Sequence, residues 1–374
     1  MDALPVLELF LELAAIPSPP GEERAAADHV LRVLRELGLD ADEDGAGPRI
    51  GSTMGNVYAR LEPTATGTPL FFCAHLDTVP PDGSLDPVVD DESVVRNAGG
   101  TILGADNKAA VAAMIEGARR ILEYGRPHAG IELLFTPMEE VGLVGAGAFE
   151  HERLNARLGY VYDQAAPIGE IVLGAPSSHS LEVTFHGRAS HSGMYPEEGR
   201  SAIAAAARAI ADLRLGRVDE ETTANVGTIT GGTATNIVPE WCTFVAEARS
   251  HDEGKLADLL QEMQEAFAFA ATEGECTVDT RVRKSYRGYR FGRGDDVVRL
   301  AAAALERTGH EPRYGLSGGA ADANVFNERG LRCLNLANGM TDIHTPDERI
   351  AVADLERMVE VTLALVELAR DGVV

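Results

Sequence analysis

Five places in the 374-residue chain put a nitrogen or carboxylate side chain after an apparent strand or in a loop. The first is Ala74-His75-Leu76-Asp77, closing a run that reads as a strand over 70–74. Residues two apart on a strand project to one side, so His75 and Asp77 share a face. A histidine that binds metal through one ring nitrogen usually gives its other N–H to a carboxylate, and Asp77 could be that orienting partner. Alone, the pair fits an ordinary loop hydrogen bond better. The second place is Gly104-Ala105-Asp106-Asn107-Lys108, just ahead of an Ala-rich helix. Open α/β sheets place their sites at such strand–helix junctions, although an aspartate there also serves as a plain N-cap. The third is Pro137-Met138-Glu139-Glu140-Val141-Gly142, after the apolar run Ile131–Thr136. Adjacent carboxylates leaving a buried strand repel each other unless a cation is close; on an open surface they would be harmless. One can ligate while its neighbour stays free as a base. Asp163 ends the run 158–162, and His344 stands in Asp342-Ile343-His344-Thr345-Pro346-Asp347-Glu348.

Together His75, Asp106, Glu140, Asp163 and His344 offer two imidazoles and three carboxylates, a set that suits zinc and also cobalt or manganese. Five ligands are too many for one tetrahedral ion and suffice for two ions sharing a carboxylate. Three carboxylates and one hydroxide balance two dications. Glu139 is then left over as a proton shuttle.

Alternating elements must position these residues. Helices are expected over 22–37 and 107–122, and strands over Val57–Leu61, 70–74 and Ile131–Thr136. Strands alternating with helices imply a largely parallel sheet covered on both faces. Near Pro176 the pattern changes. Leu181, Val183 and Phe185 alternate with polar residues, further strands are expected over 224–230, 241–248 and 276–282, and helices over 201–213 and 252–271. One face open to water fits an antiparallel sheet carrying two helices. The expected architecture is α/β: a mostly parallel-sheet catalytic domain at 1–176 and 286–374, interrupted by a smaller α+β domain at 177–285. A terminal helix over 353–368 returns to the first sheet.

Composition narrows the function. A net charge of −26 makes nucleic acid a poor partner and an anionic membrane a repelling one. Hydrophobic content of 45% is globular, and no apolar run reaches bilayer-spanning length. The first twenty residues carry Asp2, Glu8 and Glu12 and no cation, unlike a secretory signal. Cys73, Cys242, Cys276 and Cys333 form no CxxC pair; free thiols suit a reducing cytoplasm. Cys73, two residues before His75, reads as a packing residue.

The chain resembles the M20 metallopeptidases, and among them the peptidase T-like branch. The resemblance runs through the motifs at 74–77, 104–108 and 137–142, through Gly187-Arg188-Ala189-Ser190-His191-Ser192-Gly193 and Gly231-Gly232-Thr233-Ala234-Thr235-Asn236-Ile237-Val238-Pro239, and through Gly318-Gly319-Ala320-Ala321-Asp322-Ala323-Asn324 and His344-Thr345-Pro346. It implies that His75 and Asp163 bind one metal, Glu140 and His344 the other, and that Asp106 bridges them. Glu139 matches the general base and Asp77 the residue behind the first histidine. It also implies a cis peptide at Asp106–Asn107 and a homodimer formed through the inserted lid domain. His191 matches a histidine that binds the substrate carbonyl oxygen; Asn236, Arg249 and the pair Gly318 and Gly319 match substrate-holding positions. The plainer readings are a turn fixed by His191, a turn held by Asn236 and a surface ion pair of Arg249. Leu316-Ser317 stands where classical peptidase T has an arginine, which argues against strict tripeptide specificity. Asp163 in place of Glu points to the aminopeptidase and aminoacylase side. The function so implied is exopeptidase action on short peptides, with deacylation of N-acyl amino acids and non-catalytic binding as alternatives.

Overall fold

Leu70–His75 and Ile131–Thr136 are mostly apolar, and every residue in them is buried. Strands of that kind belong inside a parallel sheet with helices on both faces. In the computed structural model, which describes residues 5–372, they lie side by side in an eight-stranded sheet. Its order is Asp40–Glu43, Val57–Leu61, Ile131–Thr136, Leu70–His75, Leu158–Gln164, Arg332–Ala337, Glu170–Val172 and Arg313–Gly315. The four strands from Ile131–Thr136 to Arg332–Ala337 are mutually parallel. The first two strands of the order pair antiparallel. Leu70 pairs with both Ile131 and Leu158, and Arg332 with Leu158. The four carboxyl ends therefore reach the same edge, which is where open α/β sheets hold ligands.

The helix Ala105–Glu123 is buried around most of its circumference. Alanine favours the helix and keeps its surface low. At Gly117 an added Cβ would come within 3.1 Å of Thr362 Cγ2, so the terminal helix Val352–Arg370 crosses closely there. Thr362 also shares a 2.8 Å hydrogen bond with the buried Tyr162 hydroxyl, joining that helix to the central strand Leu158–Gln164. Arg24–Glu36 buries Ala27, Val30, Leu31 and Leu34 along one stripe. The helices Pro5–Ala14 and Asp296–Arg307, and a small sheet of Pro87–Val89, Val94–Asn97 and Arg349–Ala351, complete the frame.

The chain divides into two compact units, one running up to Ala175 and resuming at Arg290, the other Pro176–Tyr289. The second is an antiparallel sheet in the order Gly216–Arg217, Thr222–Gly231, Trp241–Ser250, Ser177–His186, Thr277–Tyr286. Leu181, Val183 and Phe185 turn inward against Ala202–Ala211 and Glu253–Glu273, while Glu182 and Thr184 turn outward. Ser201 and Asp252 cap the two helices, accepting the N–H of Ala204 and Lys255. Among the described residues, no helix is long and apolar enough to cross a membrane.

Candidate metal centre

His75 closes the strand Leu70–His75 with its side chain 2% exposed. Its Nδ1 lies 2.8 Å from the backbone carbonyl of Asp77, a contact that makes it the N–H donor. Nε2 is thus left facing Asp106 Oδ1 at 3.1 Å and Asp163 Oδ1 at 3.9 Å. On the far side of Asp106, Oδ2 lies 3.4 Å from His344 Nε2, which is itself 3.0 Å from Glu140 Oε1. Two groups of ligand atoms result, His75 with Asp106 and Asp163, and Asp106 with Glu140 and His344; within each, all atoms lie within 4.8 Å of one another. Asp106 belongs to both and turns a different oxygen to each histidine. Glu139 belongs to neither.

Local structure explains each placement. Asp163 leaves the carboxyl end of Leu158–Gln164, and Asn335 on the neighbouring parallel strand holds it from both sides. Asn335 Oδ1 accepts the Asp163 N–H at 2.9 Å and its Nδ2 donates to the Asp163 carbonyl at 2.9 Å. Asp106 lies inside the first turn of Ala105–Glu123 but at ψ 103°, outside helical geometry. Its carboxylate faces the histidines instead of capping the helix. The Asp106–Asn107 peptide is cis, as the family resemblance implies. Glu348 takes over the helix start: Oε2 accepts the N–H groups of Leu103 and Gly104 at 2.8 and 2.9 Å, and Oε1 that of Asp106 at 3.0 Å. His344 sits in the left-handed region at φ 63°, four residues before that anchor.

Asp77 behaves differently from expectation. The short contact to His75 comes from its backbone carbonyl; its carboxylate Oδ1 stands farther off, at 3.4 Å. Both carboxylate oxygens are already engaged, accepting the N–H of Glu139 at 2.9 Å and of Glu140 at 3.0 Å. Asp77 therefore braces the two glutamates as much as the histidine. Cys73 packs inward, its thiol 3.5 Å from Asp322 Oδ2, which also accepts the Thr136 hydroxyl at 2.6 Å.

The electrostatics fit a cation. Burial opposes the charged form of His75, yet the carboxylates of Asp106, Asp163 and Asp77 hold its pKa well above the usual imidazole value. Hydrogen bonds to Asp106 and Glu140 lift His344 to about 10. Burial, then the charge of Asp106, pushes Asp163 up to about 7. Burial also raises Glu139 well above the carboxylate range. Four carboxyl groups and two imidazoles this close need protons or metal ions between them, and the donor set of nitrogen and oxygen is one that divalent ions take.

Gly318 and Gly319 lie in the same unit, on the loop before Asp322–Glu328. His191, Asn236 and Arg249 lie in the second unit. There His191 and Asn236 occupy adjoining loops: Ser192 N–H donates to the Asn236 carbonyl at 3.1 Å, and His191 bridges Ile237. His191 Nδ1 accepts the N–H of Gly193 and Met194, each at 3.2 Å, so Nε2 carries the proton on an exposed ring. Arg249 is paired with Glu247 at 2.9 Å and leaves its buried Nε without a protein partner. Glu348 and Asn335 were not singled out from the sequence. Asn335 had one signal, a polar residue inside the apolar run 333–337.

Comparison with known proteins places this geometry. Residues 173–275 match the model of the peptidase dimerisation domain of the M20 peptidases, and residues 56–193 match that of peptidase family M28. A Bacillus subtilis protein, YqjE, is 37% identical over 97% of this chain and 98% of its own length. The crystal structure of aminopeptidase PepT from Bacillus cereus superposes with a TM-score of 0.87 at 38% identity, covering 97% of each chain. A tripeptidase from Staphylococcus aureus superposes with a TM-score of 0.93 at 34% identity over 98% of each chain. The chain belongs to the M20 family of metallopeptidases, in its peptidase T-like branch.

Proposed function

We propose that the chain is a two-metal exopeptidase that removes the N-terminal residue of short peptides, with Glu139 as general base. Asp106 carries this reading, because one oxygen faces each histidine and both ligand groups share it. One ion is assigned to His75 and Asp163, the other to Glu140 and His344, with Asp106 between them. Zinc is the proposed metal, with cobalt or manganese as substitutes. Bound there, the ions would supply Lewis-acid polarisation of the scissile carbonyl and an attacking water acidic enough to react near neutral pH.

The chain's own groups do the rest. Glu139 takes the water's proton and returns it to the departing amine. Asp77 fixes the backbone from which Glu139 projects. His191, with Nε2–H free, donates to the substrate carbonyl oxygen. Arg249 takes the terminal carboxylate through its planar fork, and Asn236, Gly318 and Gly319 hold the substrate backbone. The likeness to an aminopeptidase and a tripeptidase supports peptides over acylated amino acids; Asp163 at the fifth ligand position fits both.

Assembly is proposed as a homodimer through the second unit. Among the described residues, Gly216–Arg217 pairs with Thr223 and Ala224 alone, and the strand Thr222–Gly231 keeps an open edge beyond them. Ile229 on that strand is 51% exposed and Ile203, which packs against Gly231, is 39% exposed. An apolar open edge invites pairing with a second copy. Four free cysteines fit a cytoplasmic location.

Hydrolysis of unblocked di- and tripeptides, compared with N-acyl amino acids after loading with zinc, cobalt or manganese, tests the activity. Release of the N-terminal residue from free-amine peptides is expected. Turnover confined to N-acyl amino acids would make the chain a deacylase, and no turnover with both ions bound would make it a binding protein.

A further inference from the structure

The segment Pro17-Ser18-Pro19-Pro20-Gly21-Glu22-Glu23 carries no ligand, yet with Ile16 it is tied to three loops that do. The Ile16 carbonyl accepts the buried Lys108 ammonium at 2.5 Å, two residues past Asp106. The Ser18 hydroxyl donates to the Leu76 carbonyl at 2.7 Å, and the Ser18 carbonyl accepts the Thr78 N–H at 3.0 Å, on either side of Asp77. Glu23 reaches the third loop. Its Oε1 accepts the N–H of Met138 at 3.1 Å and of Gly21 at 2.7 Å, and its Oε2 accepts the Ser52 hydroxyl at 2.7 Å.

Glu23 is fully buried. It precedes the helix Arg24–Glu36 but makes no side-chain capping bond to it; its carboxylate goes to Met138 instead. Met138 stands at φ 56°, a region that residues other than glycine rarely adopt. The next two N–H groups, of Glu139 and Glu140, go to Asp77. Three successive N–H groups of one turn are thus taken by two buried carboxylates. Asp77 alone would fix where Glu139 and Glu140 begin, but not the direction in which the chain enters the turn. Glu23 supplies that second constraint from outside the ligand set.

We propose that Glu23 is a positioning residue for the reaction, holding the Met138 N–H so that the turn aims Glu139 at the attacking water. The proposal rests on the assignment of Glu139 as the base. Glu23 touches neither substrate nor ligand side chains, so its removal should lower kcat while KM and metal content stay. Glu23→Gln keeps a carbonyl oxygen for Met138; Glu23→Ala does not.

The test compares the wild type, Glu23→Ala, Glu23→Gln and Glu139→Gln by kcat, KM, bound metal per chain, and amide hydrogen exchange of the metal-free protein. The expected result for Glu23→Ala is a kcat at least about tenfold lower, a typical cost of slight misplacement of a catalytic group. KM should stay within about twofold, both ions should be retained, and, beyond the freed Glu23 contacts at Gly21 and Ser52, faster exchange should be confined to 137–143. Glu23→Gln should recover most of kcat. If Glu23→Ala does not fold, Ser52→Ala, which removes the hydroxyl on Glu23 Oε2, should show the same pattern in weaker form. A kcat within about twofold of wild type in the folded variant, a loss that follows metal loss, or Glu23→Gln as impaired as Glu23→Ala would each overturn the proposal. Near-normal kcat in Glu139→Gln would overturn the base assignment beneath it, and the two failures are told apart by that variant.

Discussion

The carboxylate of Glu348 accepts the backbone N–H of Asp106 at 3.0 Å, so the loop that carries His344 also fixes the residue shared by both ligand groups. Glu348 is 2% exposed and serves two further N–H groups, of Leu103 and Gly104. It links the two halves of the first unit across 242 residues of chain.

Replacing Glu348 therefore separates support from ligation. Glu348→Ala leaves three buried donors unsatisfied, each worth about 1–3 kcal/mol, and should lower unfolding stability and weaken metal retention together. Glu348→Gln keeps one acceptor oxygen and should lie between. Urea denaturation of the metal-free proteins, with metal analysis of the loaded ones, checks both. Unchanged stability in Glu348→Ala would show that the helix start does not depend on it.

Asp106 and His344 should differ in how many ions they control. Asp106 belongs to both ligand groups and His344 to one. Asp106→Ala is expected to lose both ions and His344→Ala mainly one, read as metal per chain after dialysis. His344 is also the more open of the two histidines, with its side chain 44% exposed against 2% for His75. Two ions retained in Asp106→Ala would remove the bridging assignment.

Loading with metal should release protons. In the metal-free protein, Asp106 and Glu140 raise His344 to about 10 and burial raises Asp163 to about 7. At pH 7.5 His344 therefore carries a proton and Asp163 holds one part of the time. An ion must displace them, so affinity falls as pH falls, by about tenfold per pH unit for each proton displaced. Calorimetry in two buffers of different ionisation enthalpy measures the release. Binding heats that do not depend on the buffer would contradict it.

The sequence showed most clearly what unbroken patterns encode. Ile131–Thr136 and Val57–Leu61 are apolar enough to be bounded by their apolar residues, and His75, Glu140 and Asp163 stood out because each follows such a run; Asp106 and His344 stood out by their place at a helix start and in a loop. The small sheet of Pro87–Val89, Val94–Asn97 and Arg349–Ala351 was not legible, being short, mostly half-buried and built from distant pieces. Glu348, Asn335 and Glu23 were missed for a related reason. Each works by accepting a backbone N–H from a segment far away in sequence, and backbone donors leave no mark on residue type. Asp77 was legible as a partner of His75, but its hold on Glu139 and Glu140 depends on two strand ends meeting in space.

The most direct test of the central claim compares Glu139→Gln with Glu140→Gln. Glu139 stands outside both ligand groups and Glu140 inside one. Glutamine keeps the size of the side chain and removes its capacity to take a proton. Glu139→Gln should bind metal as the wild type does while kcat falls by about 100- to 10,000-fold, the usual range for a general acid–base group. Glu140→Gln should lose metal first. Near-normal kcat in Glu139→Gln, or metal loss from it as ready as from Glu140→Gln, would contradict the assignment of base and ligand.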